Sequence, residues 1–76
     1  MPYIAIKAFP KDEATVEELV ERLNQTAIEV LGCPPEVLSI SFEEIDPADW
    51  KERIIDGEMA TTPARMMIRD GEKLYS

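Results

Sequence analysis

The chain has 76 residues, 16 of them acidic and 8 basic, so its formal net charge is −8. This length predicts one small domain over residues 1–76 with a marginal core, and the negative charge argues against nucleic acid or an anionic membrane surface as the main partner. One cysteine, no histidine and no long apolar run predict a chain without disulfides, metal, other cofactors or a membrane span, located in the cytoplasm.

The first two elements are a strand and an amphipathic helix. A strand is predicted over residues 2–9, where apolar side chains occur in both alternating rows, and Pro10 ends it. Thr15 followed by Glu18 matches a capping box and predicts the start of the helix. Gly32 predicts its end. Apolar residues at helical spacing predict one stripe that docks on a sheet: Val16, Leu19, Val20, Leu23, Ala27, Val30 and Leu31.

A second strand is predicted over residues 37–45, which completes a strand–helix–strand order. Short connections of this kind predict a right-handed βαβ unit with parallel strands. A two-stranded parallel sheet covered by one helix leaves its other face bare, whereas parallel sheets are normally covered on both faces. We therefore expect at least a dimer.

The rest of the chain gives weaker signals. Asp46 and Pro47 predict the cap and first residue of a short helix that ends near Gly57. Asp70-Gly71 predicts a hairpin turn between strands at residues 66–68 and 73–75, and a short helix over residues 64–68 is an equal alternative. The predicted fold class is α+β: a single βαβ unit with a short second helix and an irregular or hairpin tail, in an oligomer.

Pro2 is the residue whose chemistry depends on its position. No phosphate-binding loop, histidine-based triad or cluster of soft metal ligands is present in the sequence. Removal of Met1 would leave Pro2 with a free amine, and an apolar environment lowers the pKa of such an amine by penalising its charged form. A neutral amine can act as a general base at neutral pH. The simpler interpretation is that Pro2 only begins a strand.

The order of these features resembles a known family. A Met-Pro strand, one amphipathic helix, Gly32-Cys33-Pro34 and a second strand are similar to the 4-oxalocrotonate tautomerase family over residues 2–56. Pro47-Ala48-Asp49-Trp50 resembles a dimeric branch of slightly longer bacterial tautomerases, which act on enols of phenylpyruvate-like 2-oxo acids.

The resemblance implies a tautomerase/MIF-like subunit and an enol–keto tautomerase. Pro2 matches the family's amino-terminal proline, which takes a proton from an enol hydroxyl and returns it to carbon. The resemblance places Trp50 at the aromatic position that shields this amine. Lys11 lies near the place of a family arginine, with a one-residue gap. Ser39 stands where the dicarboxylate enzymes carry an arginine, so a monoacid with an aromatic or apolar body is the expected substrate.

Two other functions remain open from the sequence. One is a hydratase on the same fold, with a protonated Pro2 acting as an acid. The other is a non-catalytic oligomeric module that binds a small acid or a protein. For the assembly, the resemblance favours a homodimer, and a hexamer is possible.

Overall fold

The computed structural model describes residues 1–75. These residues form two compact units, one comprising residues 1–45 and the other beginning at residue 46. The prediction of a single domain remains a prediction.

The first unit is a βαβ unit. Strand β1 (Tyr3–Ala8) is followed by helix α1 (Glu13–Leu31) and strand β2 (Ser39–Glu44), and the two strands pair in parallel. The register places Tyr3 opposite Ser39 and continues to the end of both strands. Both strands are shorter than predicted. The later start of β2 has a local cause, since the proline-rich connection forms a turn of 3₁₀ helix at Pro35–Val37, with Leu38 between that turn and β2.

Helix α1 begins three residues earlier than the capping-box pattern predicted. Asp12 is the N-cap, and its carboxylate accepts the Thr15 backbone N–H at 3.0 Å. The Thr15 hydroxyl also donates to Asp12 Oδ1 at 2.6 Å. The prediction of Thr15 as the cap is therefore wrong. An aspartate three residues upstream satisfies the free N–H groups, and Thr15 bonds back to it from the first turn.

The half-buried face of α1 is shifted from the predicted stripe. Asn24 and Ile28 are half-buried, although neither belonged to that stripe. Val30 is 79% exposed, and Leu19 and Leu31 are also exposed. Helical spacing shows which residues share a side of the helix, but packing on the sheet decides which part of that side is covered.

Gly32 ends α1 as predicted. Its φ of +66° lies in the left-handed region, where residues with a Cβ are disfavoured. The Gly32 N–H donates to the Ile28 carbonyl at 3.0 Å, which satisfies one of the last free carbonyl groups of the helix.

The second unit begins with helix α2 (Pro47–Trp50), which continues directly into a π-helix (Lys51–Met59). Asp46 caps α2 as predicted, accepting the Ala48 N–H at 2.9 Å. The predicted end near Gly57 is wrong, since the π-helix reaches Met59. Lys51 and Asp56, five residues apart, form an ion pair at 2.7 Å. This separation matches the i→i+5 bonding of a π-helix.

The tail contains the predicted hairpin and a short helical turn. A 3₁₀ helix (Pro63–Arg65) precedes strands β3 (Ile68–Arg69) and β4 (Glu72–Lys73), which pair antiparallel. Asp70 and Gly71 connect them with φ values of +50° and +81°. Positive φ at both central residues is the signature of a type I′ turn, for which Asp-Gly is a preferred sequence. Together with the βαβ unit and the second helix, this hairpin confirms the predicted α+β fold.

Deep burial is rare in this chain. Among residues 1–75 only two side chains are buried, Ile45 with no exposed surface and Ile54 with 6% exposed. Large apolar side chains such as Phe9, Met67 and Ile68 are exposed. A single copy therefore removes little apolar surface completely from water.

Candidate active site

Pro2 is held at the start of the βαβ sheet. Its side chain is half-buried, and its carbonyl accepts the Ser39 backbone N–H at 3.2 Å. This bond extends the parallel ladder one residue beyond β1. Met1 is 99% exposed. Removal of Met1 would therefore lose almost no packing and would leave the Pro2 amine at the end of the sheet.

Ser39 is brought beside Pro2 by the strand register. It is the first residue of β2, lies opposite Tyr3 and is exposed. Within the part of the chain that the structure describes, its hydroxyl makes no hydrogen bond. That hydroxyl can donate to a carboxylate or carbonyl, although it carries no positive charge.

The sheet face that carries Ser39 bears further polar groups that the sequence interpretation missed. Tyr3 and Ser41 lie on this face, and the Tyr3 hydroxyl and Ser41 Oγ are 2.8 Å apart. Further along the strands, Lys7 and Glu43 are opposite each other with Nζ and Oε1 4.0 Å apart. Strand alternation alone groups each strand's residues by face. The pairing register, which the sequence did not supply, is what places Tyr3 beside the two serines.

Lys11 lies at the opposite end of β1 from Pro2. It is exposed and directly precedes Asp12, the N-cap of α1. The six residues of β1, followed by Phe9 and Pro10, separate it from Pro2. The strand alone corresponds to roughly 20 Å. Within one chain the fold therefore does not bring these two residues together.

Trp50 belongs to the second unit. It is the last residue of α2 and is half-buried. The π-helix that follows it begins at Lys51. The role of Trp50 at the site stays a prediction.

One carboxyl with a shifted pKa lies at the start of α1, outside the predicted site. The hydrogen bond from the Thr15 hydroxyl, together with the Thr15 N–H, lowers the pKa of Asp12. In residues 1–75 no group of three or more His, Cys, Asp or Glu side chains is arranged to hold a metal ion. No helix in the same residues is sufficiently long and apolar to cross a membrane.

The curated proteins to which this chain is similar are named as tautomerases. A protein named probable tautomerase from Xylella fastidiosa is 29% identical over 72 residues, which is 93% of this chain and 88% of the relative. Tautomerase PptA from Cronobacter sakazakii is 32% identical over 62 residues, covering 79% of this chain and 82% of the relative. The chain belongs to the tautomerase family.

A third tautomerase agrees with this assignment. Tautomerase PptA from Pectobacterium carotovorum is 34% identical over 58 residues, or 74% of this chain and 76% of the relative. No family model matches the chain. The tautomerase resemblance inferred from the order of residues is thus confirmed, and the chain is an enzyme of the isomerase class.

Proposed function

We propose that this tautomerase interconverts the enol and keto forms of small 2-oxo acids, with the amine of Pro2 as the general base after removal of Met1. The observation that carries the proposal is the position of Pro2. Its carbonyl is fixed by Ser39 at the end of the sheet, while Met1 is 99% exposed. Membership of the tautomerase family supports this catalytic role over a binding module without activity.

The chemistry requires one neutral amine and no cofactor. The Pro2 nitrogen takes the proton of the enol hydroxyl, and the electrons of that O–H bond form the C=O bond. The electrons of the C=C bond then take the proton from the Pro2 ammonium to form a C–H bond. The proton count is unchanged at the end of the cycle, so Pro2 returns to its neutral form. A retained Met1 prevents the reaction, because the Pro2 nitrogen is then an amide and cannot accept the proton.

Three other residues complete the proposed site. The free Ser39 hydroxyl donates to the substrate carboxylate or carbonyl. Trp50 is proposed, from the family resemblance alone, as the aromatic residue that shields the catalytic amine. Lys11 pairs with the substrate carboxylate. Since Lys11 lies at the far end of β1 from Pro2 in one chain, a second copy supplies it to the site.

The charge distribution supports a monoacid substrate. The chain carries a net charge of −8, which repels a doubly negative ligand more than a singly negative one. Ser39 offers a hydroxyl beside Pro2 and no charge. We therefore propose a 2-oxo acid with one carboxylate and an aromatic or apolar body.

The proposed active form is a homodimer. Only Ile45 and Ile54 are buried among residues 1–75, and neither β1 nor β2 has a second neighbouring strand in those residues. Pairing two copies covers apolar surface and strand edges that one copy leaves exposed. Sedimentation velocity at several concentrations tests this: a dimer is expected, a hexamer would indicate the larger assembly, and an active monomer would contradict the proposal.

The test of catalysis compares two forms with identical residues 2–76. One form is processed to begin at Pro2, and the other retains Met1 because it is produced with methionine aminopeptidase inhibited. Intact mass establishes which form is present, and ketonisation of phenylenolpyruvate is followed in each. We expect turnover by the processed form only. A processed form that is no faster than buffer, or equal rates for both forms, would refute the proposal.

A further inference from the structure

We propose that Tyr3 is a specificity-determining residue of the site, and that its ring receives the aromatic body of the substrate. This inference rests on the proposed function, because it places the reacting carbon at Pro2. Tyr3 directly follows Pro2 and is 66% exposed on the face of the sheet that carries Ser39. In one copy the ring is exposed next to the catalytic position, and the proposal requires that it stays accessible at the end of the sheet in the dimer.

The ring is held in a defined orientation. The 2.8 Å hydrogen bond joins the Tyr3 hydroxyl to Ser41 Oγ, and Ser41 is two residues beyond Ser39, the direct partner of Tyr3. The side chain therefore extends diagonally from β1 to β2. Ala5, opposite Ser41 on the same face, has no side-chain atom beyond Cβ to compete for this space. Fixing the ring in advance reduces the entropy lost when a ligand packs on it.

The two serines consequently have different roles. The Ser41 hydroxyl is engaged by Tyr3, whereas the Ser39 hydroxyl makes no hydrogen bond in the described residues. Ser39 can therefore bind the polar end of the substrate while the Tyr3 ring contacts the apolar end. This arrangement combines an apolar surface with a few polar groups, which is typical of small-molecule sites.

The shape of an aromatic enol acid matches this arrangement. In phenylenolpyruvate the phenyl group is bonded to the carbon that receives the proton, so a catalytic amine and an aromatic contact must be close together. The Cα atoms of Pro2 and Tyr3 are neighbours, about 3.8 Å apart. Their side chains point to opposite faces of β1. The amine of a terminal proline is, however, a backbone atom at the end of the strand, and the proposal places the substrate on its Tyr3 side.

The test measures binding of two stable acids that differ in their body, trans-cinnamate and crotonate. Isothermal titration calorimetry gives the ratio of the two Kd values for the processed protein and for Tyr3→Ala. Aromatic pairing beyond burial predicts that Tyr3→Ala reduces the preference for cinnamate by about 2- to 13-fold, with the crotonate Kd unchanged. The matched control is Tyr75→Ala, an exposed tyrosine of the other unit, for which the ratio stays at the wild-type value.

Removal of the hydrogen bond between the Tyr3 and Ser41 hydroxyl groups provides a second test. Tyr3→Phe and Ser41→Ala each remove the same hydrogen bond, so the double variant should lower the cinnamate preference no further than either single variant. Additive losses, or no loss in any variant, would contradict the role of the bond. A Tyr3→Ala protein that keeps the wild-type preference for cinnamate would overturn the proposal. A changed oligomeric state of Tyr3→Ala would also overturn it, because Tyr3 would then belong to a subunit interface.

The form that retains Met1 separates this inference from the proposed catalysis. Its Pro2 nitrogen is an amide, but Tyr3 and Ser41 are unchanged. We expect the effect of Tyr3→Ala on cinnamate preference to persist in this inactive form. If the Tyr3→Ala effect persists while the processed protein proves inactive, the proposed catalysis fails and the role of Tyr3 stands. If the processed protein is active but Tyr3→Ala has no effect on the preference, the role of Tyr3 fails and the proposed catalysis stands.

Discussion

Truncation of Ile45 should be among the most destabilising single changes in the chain. Ile45 follows β2, has no exposed surface, and its N–H donates to the Ala8 carbonyl at 2.8 Å. Ile45→Ala keeps this backbone bond but removes buried methyl and methylene groups and leaves a cavity. Changes of this type cost about 2–5 kcal/mol. Ile45→Val, which removes one methylene, should cost about 0.5–1.5 kcal/mol.

This loss is large compared with the stability that the chain can have. A typical stability of about 0.05–0.15 kcal/mol per residue gives roughly 4–11 kcal/mol for a chain of this length. Ile45→Ala therefore removes at least about a sixth of that stability. The protein concentration must be held fixed, because assembly adds to the apparent stability.

Adjacent isoleucines in the π-helix provide a matched control. Ile54 is 6% exposed and Ile55 is 45% exposed, so Ile54→Ala and Ile55→Ala make the same chemical change in different environments. Urea denaturation followed by far-UV circular dichroism and Trp50 fluorescence gives each free energy of unfolding. An Ile45→Ala loss below about 1 kcal/mol, or equal losses for Ile54→Ala and Ile55→Ala, would refute this assignment of the core.

Three further predictions concern helix ends. Because hydrogen bonds from Thr15 lower the pKa of Asp12, the ionised Asp12 carboxylate contributes fully to stability above its ordinary pKa of 3.8, and this contribution is lost as the pH falls through the lower pKa of the folded protein. Asp12→Asn should remove this acid dependence but keep the helix cap, whereas Asp12→Ala should lose both. Unfolding measured over an acid pH series would show the difference. Gly32→Ala should lower the free energy of unfolding by about 1–2 kcal/mol, because position 32 has a positive φ, and Gly32→Asn should lower it less. Equal stability of the wild type and both variants would contradict the left-handed conformation assigned to Gly32. Asp46→Ala, which removes the acceptor of the Ala48 N–H, should cost about 0.5–2 kcal/mol in urea denaturation, and Asp46→Asn should cost less.

Features with local signals were predicted well from the sequence. Gly32 as the end of α1, Asp46 as a cap and Asp70-Gly71 as a turn each depend on the conformational preferences of one or two residues. The βαβ order followed from alternating and helical spacing, and the parallel pairing followed from chain connectivity.

Features set by competition or by packing were not predictable in the same way. Thr15 matched a capping motif, but Asp12 offered a competing cap upstream. The π-helix has no sequence signal comparable to a cap. At the candidate site, the position of Pro2 in the sequence first indicated its chemistry and the family resemblance added Ser39, whereas Tyr3 required the strand register. The extended course of β1 separates Lys11 from Pro2.

An NMR titration of the Pro2 nitrogen, in processed protein labelled with isotopic proline, tests directly whether Pro2 is the catalytic base. The chain has six prolines, and in the processed protein Pro2 alone has an amine, because every other proline nitrogen is an amide. We predict that this nitrogen titrates with the same midpoint as the pH dependence of kcat/KM, and that activity rises as the amine becomes neutral. A kcat/KM that falls as the amine loses its proton would indicate acid catalysis of the hydratase type, and one that is constant through the titration would exclude Pro2 as the base.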